Sequence, residues 1–310
     1  MPTSTANQWG PPGLIEKAFG DRSLARIAAD RTDELRHLLL RDGALLFRGF
    51  NVFSAGEFEE IVHCFSRKPP LAYRGGASPR VRLGKNDVYT STEYPASIQL
   101  PLHNELSYTS TFPDHLYFCC LTEPATGGET TLGDSRRILT RIESRIRDQF
   151  KIRQVRYERC LDSNIGSGYS WQDSFESEDR VEVEKRCKEA ECGFEWTDYG
   201  LSLSEVRPAT TIHPETGDEV WFNQADGFHI STATGDGCRS LTATPPRLHS
   251  SFGDGTPICV LILASVRKAI EQETIMHKWH RGDMLILDNR LTAHGRMPFR
   301  GQRQIAVAMT

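Results

Sequence analysis

The sequence contains no apolar run long enough to cross a membrane. Its longest apolar stretch, residues 258–264, has the length of a strand, whereas a transmembrane helix needs about 20 residues. There is also no surplus of positive charge, because 37 basic and 41 acidic residues give a formal net charge of −4. Proteins that neutralise nucleic-acid phosphates normally carry such a surplus. We therefore expect neither a membrane nor a nucleic acid as a partner.

The sequence also lacks the patterns of a secreted or zinc-stapled protein. Its eight cysteines include no Cys-x-x-Cys pair: Cys119 and Cys120 are adjacent, and Cys187 and Cys192 are five positions apart. Residues 1–9 have neither the charged start nor the apolar stretch of a secretory signal. These features predict reduced thiols and a cytoplasmic protein.

The chain has no internal repeat, low-complexity tract or linker-like stretch. Although 310 residues could form two domains, we expect one domain over residues 1–310. Apolar spacing predicts helices near residues 32–42 and 58–65, with helical insertions around 134–150 and 178–190. The remainder is strand-like, most clearly at residues 284–287 and 304–309. The expected class is mainly β with α-helical decoration.

A His-x-Glu motif is the first candidate for chemistry. In an extended segment, His103 and Glu105 would point to the same face, and Asn104 would point to the opposite one. An imidazole and a carboxylate so placed can bind one metal ion. Because so short a motif often arises by chance, a solvated strand is the alternative interpretation.

A second histidine, His294, follows the predicted strand at residues 284–287. Two histidines and one carboxylate form the facial triad of non-haem Fe(II) oxygenases, which leaves adjacent coordination positions open. His294 alone could equally be a hydrogen-bonded residue at the end of a barrel. The three residues together make an iron site the stronger hypothesis.

Three blocks of the sequence resemble a known family, the Fe(II)/2-oxoglutarate dioxygenases of the taurine dioxygenase (TauD/TfdA) and clavaminate synthase-like type. The first is residues 43–50, which are similar to an early strand of that family. The second runs from His103 to Thr130, and the third covers residues 282–309. Because the blocks occur in order from residue 43 to the carboxyl end, the resemblance covers nearly the whole chain.

This resemblance implies a double-stranded β-helix, or jelly roll, with Fe(II), 2-oxoglutarate and O2 as cofactor and cosubstrates. His103, Glu105 and His294 would be the iron ligands, and the Thr130 hydroxyl would contact 2-oxoglutarate. A strand threonine without such a role is the alternative for Thr130.

A distal arginine must bind the far carboxylate of 2-oxoglutarate, because a guanidinium holds a carboxylate through two parallel hydrogen bonds. Arg296, Arg300 and Arg303 compete for this role. Arg303 is preferred because it enters the last predicted strand, as in members with a His-Gly-Arg sequence. Arg296 is expected to reinforce the anionic end, and Arg300 to be a turn residue.

The resemblance also bears on the substrate. Gln99, Leu106 and Asn223 match substrate-binding positions, and Glu105 in place of aspartate resembles the clavaminate synthase-like subset and argues against a halogenase. Residues 306–309 lack the further arginine of sulfonate-cleaving members, so taurine is not the expected substrate.

The expected reaction is hydroxylation of an unactivated C–H bond in an amino-acid-like or natural-product intermediate, free or carrier-tethered, with succinate and CO2 as coproducts. Desaturation or cyclisation by the same chemistry is an alternative. Two further alternatives to an oxygenase are a non-catalytic metal-binding jelly roll and a zinc hydrolase. The oligomeric state is not predicted.

Overall fold

The structure is a computed structural model that describes residues 13–16, 23–66, 68–78, 80–83, 87–91, 94–164, 170–232 and 247–310. Residues 1–9, in which no secretory signal was expected, lie outside the described residues. The helices are α1 (Leu24–Asp30), α2 (Thr32–Asp42), α3 (Ala55–Phe65), α4 (Ser135–Arg141), α5 (Ser144–Arg153), α6 (Trp171–Phe175), α7 (Arg180–Glu189), α8 (Ala225–Phe228) and α9 (Val260–Glu273).

The strands are β1 (Gly13–Glu16), β2 (Ala44–Arg48), β3 (Val88–Thr90), β4 (Leu100–His103), β5 (His115–Thr122), β6 (Thr126–Gly127), β7 (Thr130–Asp134), β8 (Val155–Asp162), β9 (Gly193–Thr197), β10 (Gly200–Arg207), β11 (Thr210–Ile212), β12 (Glu219–Trp221), β13 (Leu248–Phe252), β14 (Ile275–His277), β15 (Met284–Asp288), β16 (Thr292–Arg296), β17 (Phe299–Arg300) and β18 (Gln304–Met309). The structure thus has mixed sheets with helices, which is the coarser part of the expected mainly β class with α-helical decoration.

In a six-stranded sheet with the order β1-β2-β15-β5-β18-β3, the inner strands β2, β15, β5 and β18 are largely buried on both faces. Its side chains alternate between two cores, as the period of a strand requires. In β2, Ala44 and Leu46 belong to the larger core, whereas Leu45 and Phe47 belong to a second core with residues of α1, α2 and α3. Because both faces are covered, these inner strands are apolar at almost every position.

A four-stranded antiparallel sheet with the order β14-β7-β16-β4 contains both histidines of the predicted triad. The larger core includes residues of both sheets, such as Leu132 from β7 and Phe118 from β5. The inner faces of the two sheets therefore meet in one apolar core. A separate antiparallel sheet, β13-β8-β10-β9, packs through Leu201 and Leu203 on a smaller core shared with α6 and α7.

The early helices follow their sequence signals. Helix α2 ends at Gly43, whose φ of 73° is the left-handed conformation that glycine adopts without strain. Helix α3 begins with a capping box in which the Ser54 hydroxyl accepts from the Glu57 amide and the Glu57 carboxylate accepts from the Ser54 amide. These local contacts satisfy backbone groups that the helix itself leaves unpaired.

The predicted insertion around residues 134–150 is two helices rather than one. Helix α4 ends where Ile142 and Glu143 leave the helical conformation, with ψ angles of 133° and 136°, and α5 then continues to Arg153. The apolar residues at four-residue spacing are nonetheless buried throughout: Ile138, Ile142, Ile146 and Phe150. Helix α7 lies within the range of the second predicted insertion.

The strand-like interpretation of residues 258–264 is wrong, because helix α9 begins at Val260. Leu263, Val266 and Ala269 are buried on one face of this helix, while Leu261 is 79% exposed. A short apolar run has no periodicity of its own, so its packing decides between strand and helix. Among the described residues, no helix combines the length and apolar character that crossing a bilayer requires.

Candidate metal centre and active site

The three predicted ligand residues come together in the structure. His103 ends strand β4, and His294 is its direct partner on the antiparallel strand β16. Glu105 follows two residues after His103, and its Oε2 lies 3.8 Å from His103 Nε2 and 3.7 Å from His294 Nε2. All three ligand atoms lie within 4.8 Å of one another. This is the spacing of donors around one metal ion.

The turn that holds Glu105 differs from the expected extended segment. Strand β4 ends at His103, so simple alternation along a strand does not place Glu105. Instead, Asn289 binds its backbone on both sides: the Asn289 Oδ1 accepts from the Glu105 amide at 2.7 Å, and Nδ2 donates to the Glu105 carbonyl at 3.0 Å. Asn104 points away from the site, as expected, and donates to the Asn289 carbonyl at 2.7 Å.

The protonation states suit metal binding. His103 Nδ1 lies 2.9 Å from the Pro101 carbonyl oxygen, which can only accept, so in the neutral ring this nitrogen carries the proton and Nε2 keeps its lone pair. Burial, with the neighbouring His103, lowers the pKa of His294 to about 4. A neutral imidazole is the form that binds metal. The two imidazoles and the carboxylate therefore fit an Fe(II) ion.

Arg80 is a residue of the site that the sequence did not reveal. Its Nη2 donates to Glu105 Oε2 at 2.7 Å, and its side chain is only 3% exposed. Burial alone would raise the pKa of Glu105, but the charge of Arg80 and the two histidines hold that pKa well below its ordinary value. The described residues next to Arg80, 71–78 and 80–83, form no helix or named strand, so no periodic pattern marks it.

A cavity opens beside the triad, between the two main sheets. The four-stranded sheet supplies most of its wall, and Phe118 on β5 and Ile305 on β18 supply the opposite side. The lining residues are Arg80, Ser91, Leu100, His103, Phe118, Thr130, His294, Gly295, Arg296, Arg303 and Ile305. Thus the triad histidines, Thr130 and both favoured arginines reach one cavity, whereas Arg300 is exposed on β17.

Arg303 lies immediately before strand β18 and is held at the cavity wall by neutral groups. Its Nε donates to the Gly128 carbonyl at 3.2 Å, and its Nη1 donates to the Ser91 hydroxyl at 3.3 Å. Burial and the nearby charge of Arg296 lower its pKa to about 10. No carboxylate among the described residues forms an ion pair with Arg303, so its charge is available to an anionic ligand.

Thr130 begins strand β7, where its hydroxyl accepts from the Trp279 indole nitrogen at 2.9 Å. This hydrogen bond fixes the hydroxyl at the cavity wall and leaves its own proton free to be donated.

Arg296 is largely occupied by backbone acceptors. Its two terminal nitrogens donate to the carbonyls of Tyr94, Pro95 and Ile98 at 2.8–3.1 Å. Arg296 therefore fastens the turn before β4 while one side of it lines the cavity.

The residues expected near the substrate are more scattered. Gln99 is exposed just before β4, and Leu106 is buried in the larger core with a φ of 53°. Asn223 is also buried, and both ends of its amide bind backbone: Nδ2 donates to the Ala209 carbonyl, and Oδ1 accepts from the Ala225 amide. None of the three lines the cavity described above. Their contact with a substrate stays a prediction.

Comparison with known proteins decides the family. The sequence model of the family described as "Taurine catabolism dioxygenase TauD, TfdA family" matches residues 8–309. The chain belongs to the TauD/TfdA dioxygenase family. The predicted resemblance is thereby confirmed, and this dioxygenase is an Fe(II)- and 2-oxoglutarate-dependent oxidoreductase whose cosubstrate is O2.

Two relatives of this TauD/TfdA dioxygenase are similar over most of their length. The dapdiamide synthesis protein DdaC of Enterobacter agglomerans is 35% identical over 278 residues, covering 88% of this chain and 83% of the relative. A clavaminate synthase-like protein of Arabidopsis thaliana is 31% identical over 284 residues, covering 89% and 83%. The structure of PvcB from Pseudomonas aeruginosa shares the fold with a TM-score of 0.56 at 18% identity, covering 97% of this chain and 86% of PvcB.

Proposed function

We propose that this dioxygenase hydroxylates an unactivated C–H bond of a small amino-acid-like or natural-product intermediate, with succinate and CO2 as coproducts. The observation that carries the proposal is one cavity that contains His103, His294, Thr130 and Arg303, with Glu105 beside both histidines. This reaction needs both a metal-binding triad and a cationic contact for a dicarboxylate, and here both lie at the same cavity.

In this proposal His103, Glu105 and His294 hold Fe(II). When bound, the iron, with 2-oxoglutarate and O2, supplies the oxidising power that no side chain has. The protein contributes fixed ligand positions. The Pro101 carbonyl orients the His103 ring, and Asn289 fixes the backbone of Glu105 from both sides. Such outer contacts keep the ligand atoms in place before the metal arrives.

Arg303 and Thr130 would hold 2-oxoglutarate. The far carboxylate of 2-oxoglutarate would accept hydrogen bonds from the Arg303 guanidinium, whose present partners are a carbonyl and a hydroxyl. The Thr130 hydroxyl, held by Trp279, would donate its proton to the same ligand. Arg296 would add positive charge at this end of the cavity. Charge-assisted contacts of this kind are stronger than neutral hydrogen bonds.

We further propose that the two main sheets form the double-stranded β-helix of the family, in one domain over residues 1–310 with helical insertions around 134–150 and 178–190. The shared larger core between the sheets supports this arrangement.

The substrate class rests on the relatives. DdaC is named for dapdiamide synthesis, and PvcB is described as an Fe, alpha-ketoglutarate dependent oxygenase from an isonitrile synthetic pathway. We propose an intermediate of comparable small-molecule biosynthesis, free or carrier-tethered. Gln99, Leu106 and Asn223 are proposed to shape the substrate side, Asn223 through the hydrogen bonds of its amide to the Ala209 and Ala225 backbone.

Anaerobic titration of Fe(II) and 2-oxoglutarate into the protein tests the proposal. We expect a metal-to-ligand charge-transfer band in the visible spectrum that requires both additions, and succinate formation once O2 is admitted. His294→Ala is the matched control and should show neither. If Fe(II) binds but 2-oxoglutarate gives no band and no succinate, a zinc hydrolase or a non-catalytic metal-binding protein would replace the oxygenase.

A further inference from the structure

Arg80 is held in place by a segment that is itself firmly attached. In residues 71–78, the Tyr73 amide donates to the Tyr89 hydroxyl at 3.1 Å, and the Ala77 amide donates to the Tyr108 hydroxyl at 2.7 Å. The Arg80 guanidinium then lies over the Tyr73 ring, 4.4 Å from its centroid. The side chain is therefore positioned before any ligand binds, which lowers the entropy lost on binding.

Most of the donor capacity of Arg80 is unused. Nη2 donates to Glu105, while Nε and Nη1 are buried and have no hydrogen-bond partner among the described residues. Arg80 lines the same cavity as the triad histidines. A buried cation with free donors is costly unless an acceptor reaches it. These donors indicate that a ligand group approaches Arg80 from the cavity.

The charge around the cavity indicates what kind of group this is. Its described lining residues include three arginines, Arg80, Arg296 and Arg303, and no acidic side chain. Among the described residues, Glu105, which pairs with Arg80, is the one carboxylate that forms an ion pair with these arginines. The charges of Fe(II) and of the 2-oxoglutarate dianion cancel formally, so the loaded site keeps an excess of two positive charges. An anionic substrate would compensate that excess.

We propose that Arg80 binds a carboxylate of the primary substrate, which makes this enzyme specific for a carboxylate-bearing molecule. The inference rests on the proposed oxygenase function and names the substrate class of that same site. Arg80 contacts the metal ligand Glu105 directly, so a carboxylate bound there would fix the carbon chain of the substrate close to the iron. Arg303 remains with 2-oxoglutarate, since its contacts are with Gly128 and Ser91 on another part of the wall.

Matched ligand pairs test this role. Acetate, propionate, butyrate and benzoate are each compared with their primary amide by calorimetry, at constant ionic strength, on anaerobic protein saturated with Fe(II) and 2-oxoglutarate. We expect at least one carboxylate to bind the wild-type protein at least tenfold more tightly than its amide. Arg80→Gln should abolish that preference, and Arg80→Lys should weaken it several-fold, because an ammonium lacks the planar fork.

Arg74→Gln is the matched control, because Arg74 lies in the same segment, is half exposed and pairs with Glu176 away from the cavity. It should keep the carboxylate preference. Iron stoichiometry and 2-oxoglutarate affinity are measured on every variant. If Arg80→Gln does not load with iron, Arg80→Lys decides, and an unchanged carboxylate affinity in Arg80→Lys would overturn the inference.

Further outcomes distinguish failure of the Arg80 role from failure of the proposed oxygenase function. If the wild-type protein binds iron and 2-oxoglutarate but shows no preference for any carboxylate, the role of Arg80 is wrong and the oxygenase proposal stands. The same conclusion follows if Arg80→Gln weakens 2-oxoglutarate binding but leaves the carboxylate preference intact. If the wild-type protein forms no 2-oxoglutarate complex, the proposed function fails and this inference fails with it.

Discussion

His103 and His294 face each other across neighbouring strands, with ring centroids 4.4 Å apart, although 190 residues separate them in the sequence. Their pairing follows from the antiparallel register of β4 and β16, which places the two Cα atoms opposite each other. Side chains directly opposite in such a pair point to the same face of the sheet. The metal centre therefore exists only when this sheet has formed.

Replacing either histidine should remove iron binding without unfolding the protein. We expect His103→Ala and His294→Ala to lose Fe(II) stoichiometry, while the free energy of unfolding of the metal-free protein falls by about 1–2 kcal/mol at most, since neither ring makes a hydrogen bond that the core requires. Iron analysis after gel filtration, with denaturant unfolding, measures both. His63→Ala, an exposed control on α3, should bind iron normally. Full iron occupancy in His294→Ala would refute the ligand assignment.

The ion pair between Arg80 and Glu105 should show strong coupling in a double-mutant cycle. Because both side chains are buried, Arg80→Met alone or Glu105→Met alone leaves an unpaired charge, which costs about 3–5 kcal/mol. The double variant removes both charges, so its free energy of unfolding should be close to that of the wild type. Urea unfolding of the four metal-free proteins measures the coupling. Additive losses in the double variant would show that the two residues do not pair.

Arg303 should control 2-oxoglutarate affinity rather than iron binding. Removing one partner of a desolvated charge pair costs about 2–5 kcal/mol. For Arg303→Ala this corresponds to a loss of about 30-fold to several thousand-fold in 2-oxoglutarate affinity. Arg303→Lys should recover only part of it. The charge-transfer titration measures each constant, with the exposed Arg300→Ala as control. A large loss in Arg300→Ala and none in Arg303→Ala would transfer the role to Arg300.

His277 should make the protein less stable as the pH falls. Burial lowers its pKa to about 4, and its ordinary pKa is 6.5, so between these values the unfolded state binds a proton that the folded state does not. The contribution of His277 to the free energy of unfolding is therefore fully present above about pH 6.5. It is lost as the pH falls toward 4, by about 2–3 kcal/mol. In metal-free His277→Gln, the free energy of unfolding should vary less over this range. An unchanged pH slope would contradict the buried, neutral histidine.

Much of the fold could be predicted from local pattern. The four-residue apolar spacing from Ile138 to Phe150 marked a buried helical face, and the last strand was clear from residues 304–309 alone. Such patterns report burial, because the period of a helix or strand decides which side chains share a face. The break at Ile142 and the helix that begins at Val260 were missed, since neighbouring elements rather than local periodicity decide them.

The sequence by itself determined which residues could bind the metal: the types and order of His103, Glu105 and His294, together with the motifs around them, identified the family. Tertiary structure alone decided that Asn289 would fix Glu105, that Arg296 would be occupied by carbonyls, and that Arg80 would enter the site. These contacts join residues far apart in the chain or in segments without periodicity. A guanidinium on such a segment has no preferred partner until the packing of the sheets supplies one.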